Sequence, residues 1–403
     1  MRRELFNSLL SHLTRKEYTI VTGARQTGKS TLLRQLETHL NTINLPCIVL
    51  NLENKETLTQ LNVSPLNVLN FLPVQDKKTI VLIDEIQYLN DPSNFLKLLH
   101  DEHSQTIKIV ATGSSAFYID DNFRDSLAGR KRVFQLLTCS FDEYLELTGK
   151  EDLLEERKRI VTNKAAVSTK INYLKTEWEN YMLFGGYPAV ITEPDRENKI
   201  IMLREIRDSF VKRDILESGV QNEIAFYNLF RLLAAQIGNL VNVNELSATL
   251  RIKSETINNY LFIMQKCFHL SLVKPFYKNL RKEITKMPKA FLLDSGLRNC
   301  LLNNFGEITT RTDKGQLWEN IYFRILADRY GIDAIRFWRT SDGNEIDFVL
   351  PDIDKPRAYE IKSDTALIKP NKYKKFNEAY PEIPLYFGWF SPFNEDFFRR
   401  IML

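Results

Sequence analysis

The sequence predicts an α/β protein. A parallel sheet with covering helices takes residues 1–150, a charged helical stretch follows, and a second α/β region closes the chain. Three observations predict this. Short apolar runs at Thr19–Thr22, Cys47–Asn51, Ile80–Ile83, Ile107–Thr112 and Val133–Leu137 alternate with helical patterns. The string GARQTGKST lies between the first run and a helical pattern, LLRQL. Further short strands recur near the C-terminal end, around Ile335–Trp338, Asn344–Leu350 and Ala358–Lys362.

The string Gly23–Thr31 fits the phosphate-binding pattern G-x-x-x-x-G-K-[ST] in its strand–loop–helix setting. Glycines let a loop wrap closely around phosphates, and the following helix turns its positive end toward them. Gly23, Ala24, Arg25, Gln26, Thr27, Gly28, Lys29, Ser30 and Thr31 are therefore candidate nucleotide contacts. Lys29 would reach the β- and γ-phosphates, and Ser30 would ligate Mg²⁺.

Such a loop needs a carboxylate for the metal and a group that orders water. Residues 79–85 read TIVLIDE, a strand for a doubly covered sheet that ends in Asp84 and Glu85. Open α/β sheets bind ligands at that strand end. Asp84 is expected in the Mg²⁺ shell and Glu85 beside the attacking water. The next run, IKIVAT, ends in Gly113-Ser114-Ser115, and either Thr112 or Ser114 would touch the γ-phosphate or the water.

The chain has 403 residues, too many for one core, and its 43% hydrophobic and 26% charged content is that of a soluble globular protein. A net charge of +4 does not by itself announce nucleic acid. Cys47, Cys139, Cys267 and Cys300 are far apart and read as reduced residues of a cytoplasmic protein, not as a disulfide or zinc framework. The N-terminal MRRELFNSLLSHLTRKEY is amphipathic, without the unbroken apolar stretch of a signal peptide, and no run approaches a membrane span. His100-Asp101-Glu102-His103 reads as a charged helix end, not a metal site.

Residues 151–222 read as a helical lid or linker, broken by Gly185-Gly186-Tyr187-Pro188. Residues 223–290 read as a winged helix-turn-helix: helices at Leu229–Ile237, from Val243 and from Ser254 as N-cap, then wing strands at Leu272-Val273 and Lys286–Phe291. Lys278, Arg281, Lys282, Lys286 and Lys289 would form a basic wing, facing a phosphate backbone or simply solvated. Residues 291–403 form the second α/β domain. There, alternation puts Glu360 and Lys362 on one face of a strand, with Asp347 able to pair across from the preceding strand.

GARQTGKST, VLIDEIQ, VATGSS and SLAGRKRVFQL resemble, in that order, the P-loop, Walker B, sensor 1 and Gly-Arg motifs of an AAA-type ATPase. The resemblance implies ATP with Mg²⁺, and no N-K-x-D-like guanine signature opposes it. Arg130 in LAGRK matches the motif arginine and would stabilise transition-state charge in cis or in a neighbouring subunit. FGGYPAVI resembles a segment of archaeal and bacterial ATPases that carry a C-terminal domain of unknown function, a likeness spanning nearly the whole chain.

The C-terminal constellation resembles a PD-(D/E)xK nuclease core. By that resemblance Asp347 and Glu360 would bind Mg²⁺, Lys362 would position or activate water, and Glu319 would come from the first helix of that core. The other reading is a Glu360–Lys362 salt bridge on an inactive scaffold. Expected partners are nucleic acid, DNA before RNA, and a homo-oligomer or partner protein, with no membrane.

Overall fold

A computed structural model describes residues 3–73, 78–113, 127–277, 286–391 and 393–401. The chain divides into two compact units. The first is Met1–Leu137 together with Arg213–Gly219 and Lys266–Phe268, and the second is the remainder.

The first unit holds five strands: β1 Tyr18–Thr22, β2 Cys47–Asn51, β3 Thr79–Asp84, β4 Ile107–Gly113 and β5 Lys131–Gln135. They lie in the order β2-β3-β4-β1-β5, every pair parallel. Strands covered on both faces must be apolar almost throughout. Accordingly β1 and β4 are buried at every position, and β3 at all but Asp84. One face packs on Leu32, Leu33 and Leu36 of the helix Lys29–Thr42 and on Phe6 and Leu9 of the helix Leu5–His12. The other packs on Phe95, Leu96 and Leu99 of the helix Pro92–His103, so the HDEH string does end a helix.

Strand β5 begins two residues before the apolar run Val133–Leu137 that the sequence pointed to. It is an edge strand, where hydrogen bonding to β1 sets the limits and side-chain polarity does not. Lys131 pairs with Tyr18 and Gln135 with Thr22, while Val133 stays exposed. Leu136 still donates its N–H to Thr22 at 2.7 Å and is buried.

The second unit carries six strands: β6 Leu270–Pro275, β7 Lys289–Leu292, β8 Arg336–Arg339, β9 Glu345–Leu350, β10 Arg357–Asp364 and β11 Leu385–Ser391. Their order is β11-β10-β9-β8-β6-β7. The two helices expected to follow residue 240 are present as Val243–Leu250, capped by Asn242, and Ser254–Lys266. Ser254 is the first helical residue rather than the cap, and its hydroxyl donates to Asn244 Oδ1 at 3.4 Å.

The β6–β7 hairpin has antiparallel register Leu270↔Leu292, and β6 also runs parallel to β8 through Lys274↔Arg336. The strands expected as a wing are thus continuous with the C-terminal sheet. Asn320, on the helix Lys314–Tyr330, fastens that helix to β7 by exchanging two bonds with the Leu292 backbone, at 2.8 and 3.0 Å. Of the basic wing residues, Lys278, Arg281 and Lys282 lie outside the described residues, and Lys286 is exposed. Lys289 corrects the expectation: it is 1% exposed and ion-paired inside the domain, so it faces no phosphate backbone.

The string FGGYP has a structural role. Cys139 donates its N–H to Gly186 O at 2.7 Å, and Gly186 donates to Asp294 Oδ2 at 2.8 Å. A Cβ on Gly186 would sit 2.3 Å from Cys139 O, so only glycine allows this approach.

Candidate functional site

In the first unit, parallel register gathers the predicted nucleotide-site residues at one edge of the sheet. Thr22 pairs with Gly113 and Val21 with Thr112, while β3 delivers Asp84 alongside. The loop 23–28 leaves β1 at that edge. Gln26 and Gly28 take positive φ, 60° and 92°, and Gly28 opens the helix Lys29–Thr42 with no side-chain cap. First-turn N–H groups left without a cap are what an anion needs. The Lys29 ammonium lies along the loop, donating to Gly23 O at 3.0 Å and Ala24 O at 2.9 Å. Thr27 is buried, and its hydroxyl donates to Ala24 O at 2.9 Å. Gly23 is packed so tightly that a Cβ would lie 2.1 Å from Leu136 O. Ser30 is half-buried at the head of the helix, whereas Arg25 is half-buried and Thr31 exposed.

Thr112 ties the acidic pair together. It is fully buried, donates its hydroxyl to Asp84 Oδ1, and accepts the Glu85 N–H at 3.2 Å. Its hydroxyl thus links the Asp84 carboxylate to the Glu85 backbone; Ser114 lies outside the described residues. Glu85 has left-handed φ 58° and ψ 51°, a conformation a non-glycine residue adopts at a cost of about 1 kcal/mol. Gln87 Nε2 donates to Glu85 Oε2, so the glutamine of VLIDEIQ orients the carboxylate. Sequence reasoning missed both roles, although DEIQ placed Gln87 close to Glu85 in the chain.

Arg130 is not at this edge. It precedes Lys131, which pairs with the first residue of β1, and its carbonyl accepts the Tyr18 N–H at 2.8 Å. The P-loop leaves the opposite end of β1, about 16 Å away over five residues. This placement lends a role in cis no support, because the strand length separates the groups. The guanidinium pairs with both oxygens of Asp101, at 2.7 and 3.1 Å, which lowers that carboxyl's pKa.

The second unit assembles the other constellation. The β9–β10 ladder ends at Tyr359↔Phe348, and the residues just beyond are Glu360 and Asp347. Asp347 Oδ2 accepts the Ile361 N–H at 2.7 Å. Lys362 donates to Glu360 Oε1 and lies 3.8 Å from Asp347 Oδ2, so its ammonium stands between the two carboxylates. Tyr373 donates its hydroxyl to Glu360 Oε1 at 3.0 Å, and Glu360 Oε2 has no partner. Burial, and then the neighbouring Asp347, raise the Glu360 pKa. Burial opposes the charge on Lys362, but Asp347 and Glu360 outweigh it and raise its pKa.

Glu319 comes from the helix Lys314–Tyr330 as expected, but its partner was not foreseen. Lys289 Nζ lies 3.3 Å from Glu319 Oε1 and 2.6 Å from Glu345 Oε1. Burial and the nearby Asp347 and Glu345 raise the Glu319 pKa, while Lys289 pulls it down. Glu345 also meets Arg339 at 2.9 Å. Among the described residues no three His, Cys, Asp or Glu side chains gather as a metal shell. Nor is any helix there long and apolar enough to cross a membrane.

The uncapped loop–helix junction after β1 lies at the same end of the sheet as Asp84, the last residue of β3, and Glu85, which follows it, and residues 15–145 match the family described as AAA domain. Residues 175–307 and 314–390 match two families described only as domains of unknown function, DUF8612 and DUF4143. An uncharacterized protein of Haemophilus influenzae is 27% identical over 377 residues, 88% of this chain and 87% of its own length. One from Mycobacterium tuberculosis is 25% identical over 364 residues, 90% of this chain and 74% of its own. Among solved structures, the RuvB Holliday junction branch migration motor of Thermotoga maritima is 15% identical, covering 67% of this chain and 89% of that one, at TM-score 0.31. Cdc6p of Pyrobaculum aerophilum is 12% identical, covering 75% and 92%, at TM-score 0.30. Likeness at that level has no bearing on function.

Proposed function

We propose that this protein binds and hydrolyses ATP with Mg²⁺ at its P-loop, and that turnover governs a nuclease-like C-terminal domain acting on nucleic acid, DNA before RNA. The observation that carries the ATPase reading is the Thr112 hydroxyl, which locks Asp84 and the Glu85 backbone beside the P-loop edge. The donor set fits the cofactor: uncapped N–H groups and a lysine for phosphates, a serine and a carboxylate for a hard divalent ion. Ser30 and Asp84 would hold Mg²⁺, which offsets phosphate charge when bound. Lys29 neutralises phosphate oxygens, and Glu85, aimed by Gln87, accepts a hydrogen bond from the attacking water.

At the second site, Asp347 and Glu360 supply carboxylate oxygens for a divalent ion, and the partnerless Glu360 Oε2 supports that fit. Lys362 is placed to stabilise negative charge beside them. The domain limits 1–150, 151–222, 223–290 and 291–403, a cytoplasmic setting, and a neighbour receiving Arg130 belong to the same proposal.

A second reading, an ATP-dependent switch or scaffold with an inactive C-terminal domain, draws support from the lysines that already neutralise its acids. Cleavage of labelled single- and double-stranded DNA and RNA with Mg²⁺ or Mn²⁺, with and without ATP, separates the two. Cutting that disappears in Lys362→Ala while ATPase persists supports the nuclease. ATPase without cutting under any condition supports the switch.

A further inference from the structure

The C-terminal site contains two lysines, and only Lys362 belongs to its strand motif. The other, Lys289, enters from β7 of the hairpin and ends almost completely buried between two acids. Its ammonium bridges Glu319 on the helix and Glu345 on β9, and the Phe337 ring centroid lies 5.4 Å away. Gly238 closes the far side of Glu319. Its φ is +76°, it donates to Ala290 O at 2.9 Å beside Lys289, and a Cβ there would lie 2.8 Å from Glu319 Oε2. Arg339 takes the other oxygen of Glu345.

We propose that Lys289 is a resident cation of this site: it occupies Glu319 and Glu345, so that one divalent ion is held, by Asp347 and Glu360, and Glu319 positions Lys289 instead of ligating metal. This rests on reading the site as metal-binding. Four carboxylates, Glu319, Glu345, Asp347 and Glu360, face the cations Lys289, Arg339 and Lys362. A single divalent ion nearly balances that set, whereas two would leave an excess of positive charge. Of these four carboxylates, Glu360 carries a fully buried oxygen, Oε2, that has no hydrogen-bond partner. Taking a buried ammonium from both its acids would strand charges at a cost well above that of an exposed pair.

The test is Mn²⁺ binding by calorimetry and electron paramagnetic resonance. It uses nucleotide-free full-length protein in an Asp84→Asn background, which removes the P-loop carboxylate. One equivalent is expected. Glu319→Gln should keep that equivalent with affinity changed by less than about threefold, and Glu360→Gln should weaken it by about tenfold or more. Lys289→Met frees two carboxylates and should add a second, weaker equivalent, a change a merely structural lysine would not produce. If Lys289→Met does not fold, the Glu319→Gln result still decides. Loss of Mn²⁺ binding in Glu319→Gln, or two equivalents in the parent, overturns the assignment while leaving the metal-binding reading intact. A parent that binds no Mn²⁺ overturns both.

Discussion

Replacing Thr112 by valine tests how the ATPase edge works. Valine keeps the shape of a side chain that is fully buried on β4, so packing is preserved. What disappears is the hydroxyl that donates to Asp84 and accepts from the Glu85 N–H at 3.2 Å. A hydrogen bond to a charged group contributes about 1.5–3 kcal/mol, and a partly buried N–H left unpaired costs about 1–3 kcal/mol more. If Asp84 and Glu85 lose their placement in the transition state by the first of these amounts, kcat falls about 10- to 150-fold. The P-loop is untouched, so ATP affinity should change by less than about twofold. Steady-state ATPase, fluorescent-nucleotide binding and thermal melting measure the three quantities. Thr112→Ser retains the hydroxyl and should stay near wild type. A folded Thr112→Val protein turning over within about threefold of wild type would refute the idea that this hydroxyl organises the acidic pair.

Four other outcomes are expected. Lys29→Ala should abolish ATP binding or hydrolysis, and an unchanged ATPase rate would sink the assignment. Arg130→Ala should leave ATP affinity of the dilute monomer unaltered, because Arg130 lies at the other end of β1; weakened binding there would contradict the register. Gly186→Ala should destabilise the second unit by about 2 kcal/mol or more through backbone overlap with Cys139 O, visible as a lower denaturation midpoint. His12, buried and held at 2.8 Å from Thr19 Oγ1, has a pKa lowered to about 4 by burial and then by Lys108, Arg132 and Arg15, against Glu17. The unfolded imidazole binds its proton first, so stability is full above pH 6.5 and falls by about 2–3 kcal/mol as pH drops toward 4. His12→Gln should flatten that dependence in denaturation curves at pH 7 and pH 5.

Much of the first unit was legible in the chain, because its signals are local. GARQTGKST must bend and then start a helix, and TIVLID and IKIVAT are too apolar to lie anywhere but inside a doubly covered sheet. Asp84 and Glu85 follow at a strand end for the same reason. The alternation that puts Glu360 beside Lys362 is equally local, and the pair does meet. The edge strand β5 was misplaced by two residues because its limits come from pairing with β1, not from its own polarity.

Tertiary structure decided which distant groups share a site. Lys289 reads as a wing lysine until β6 joins β8 and brings β7 against the helix that carries Glu319. Tyr373 carries no signal that it will reach Glu360. Arg130 follows the strand-ending motifs in the chain, yet parallel pairing returns it to the start of β1, at the end opposite the loop 23–28. Thr112 could face a nucleotide or a neighbouring strand, and only the order β3-β4-β1 makes it the tie between the Asp84 carboxylate and the Glu85 backbone. Residue periodicity sets which face a side chain occupies along its own element; the identity of its partner depends on register between segments remote in sequence, and no local pattern encodes that.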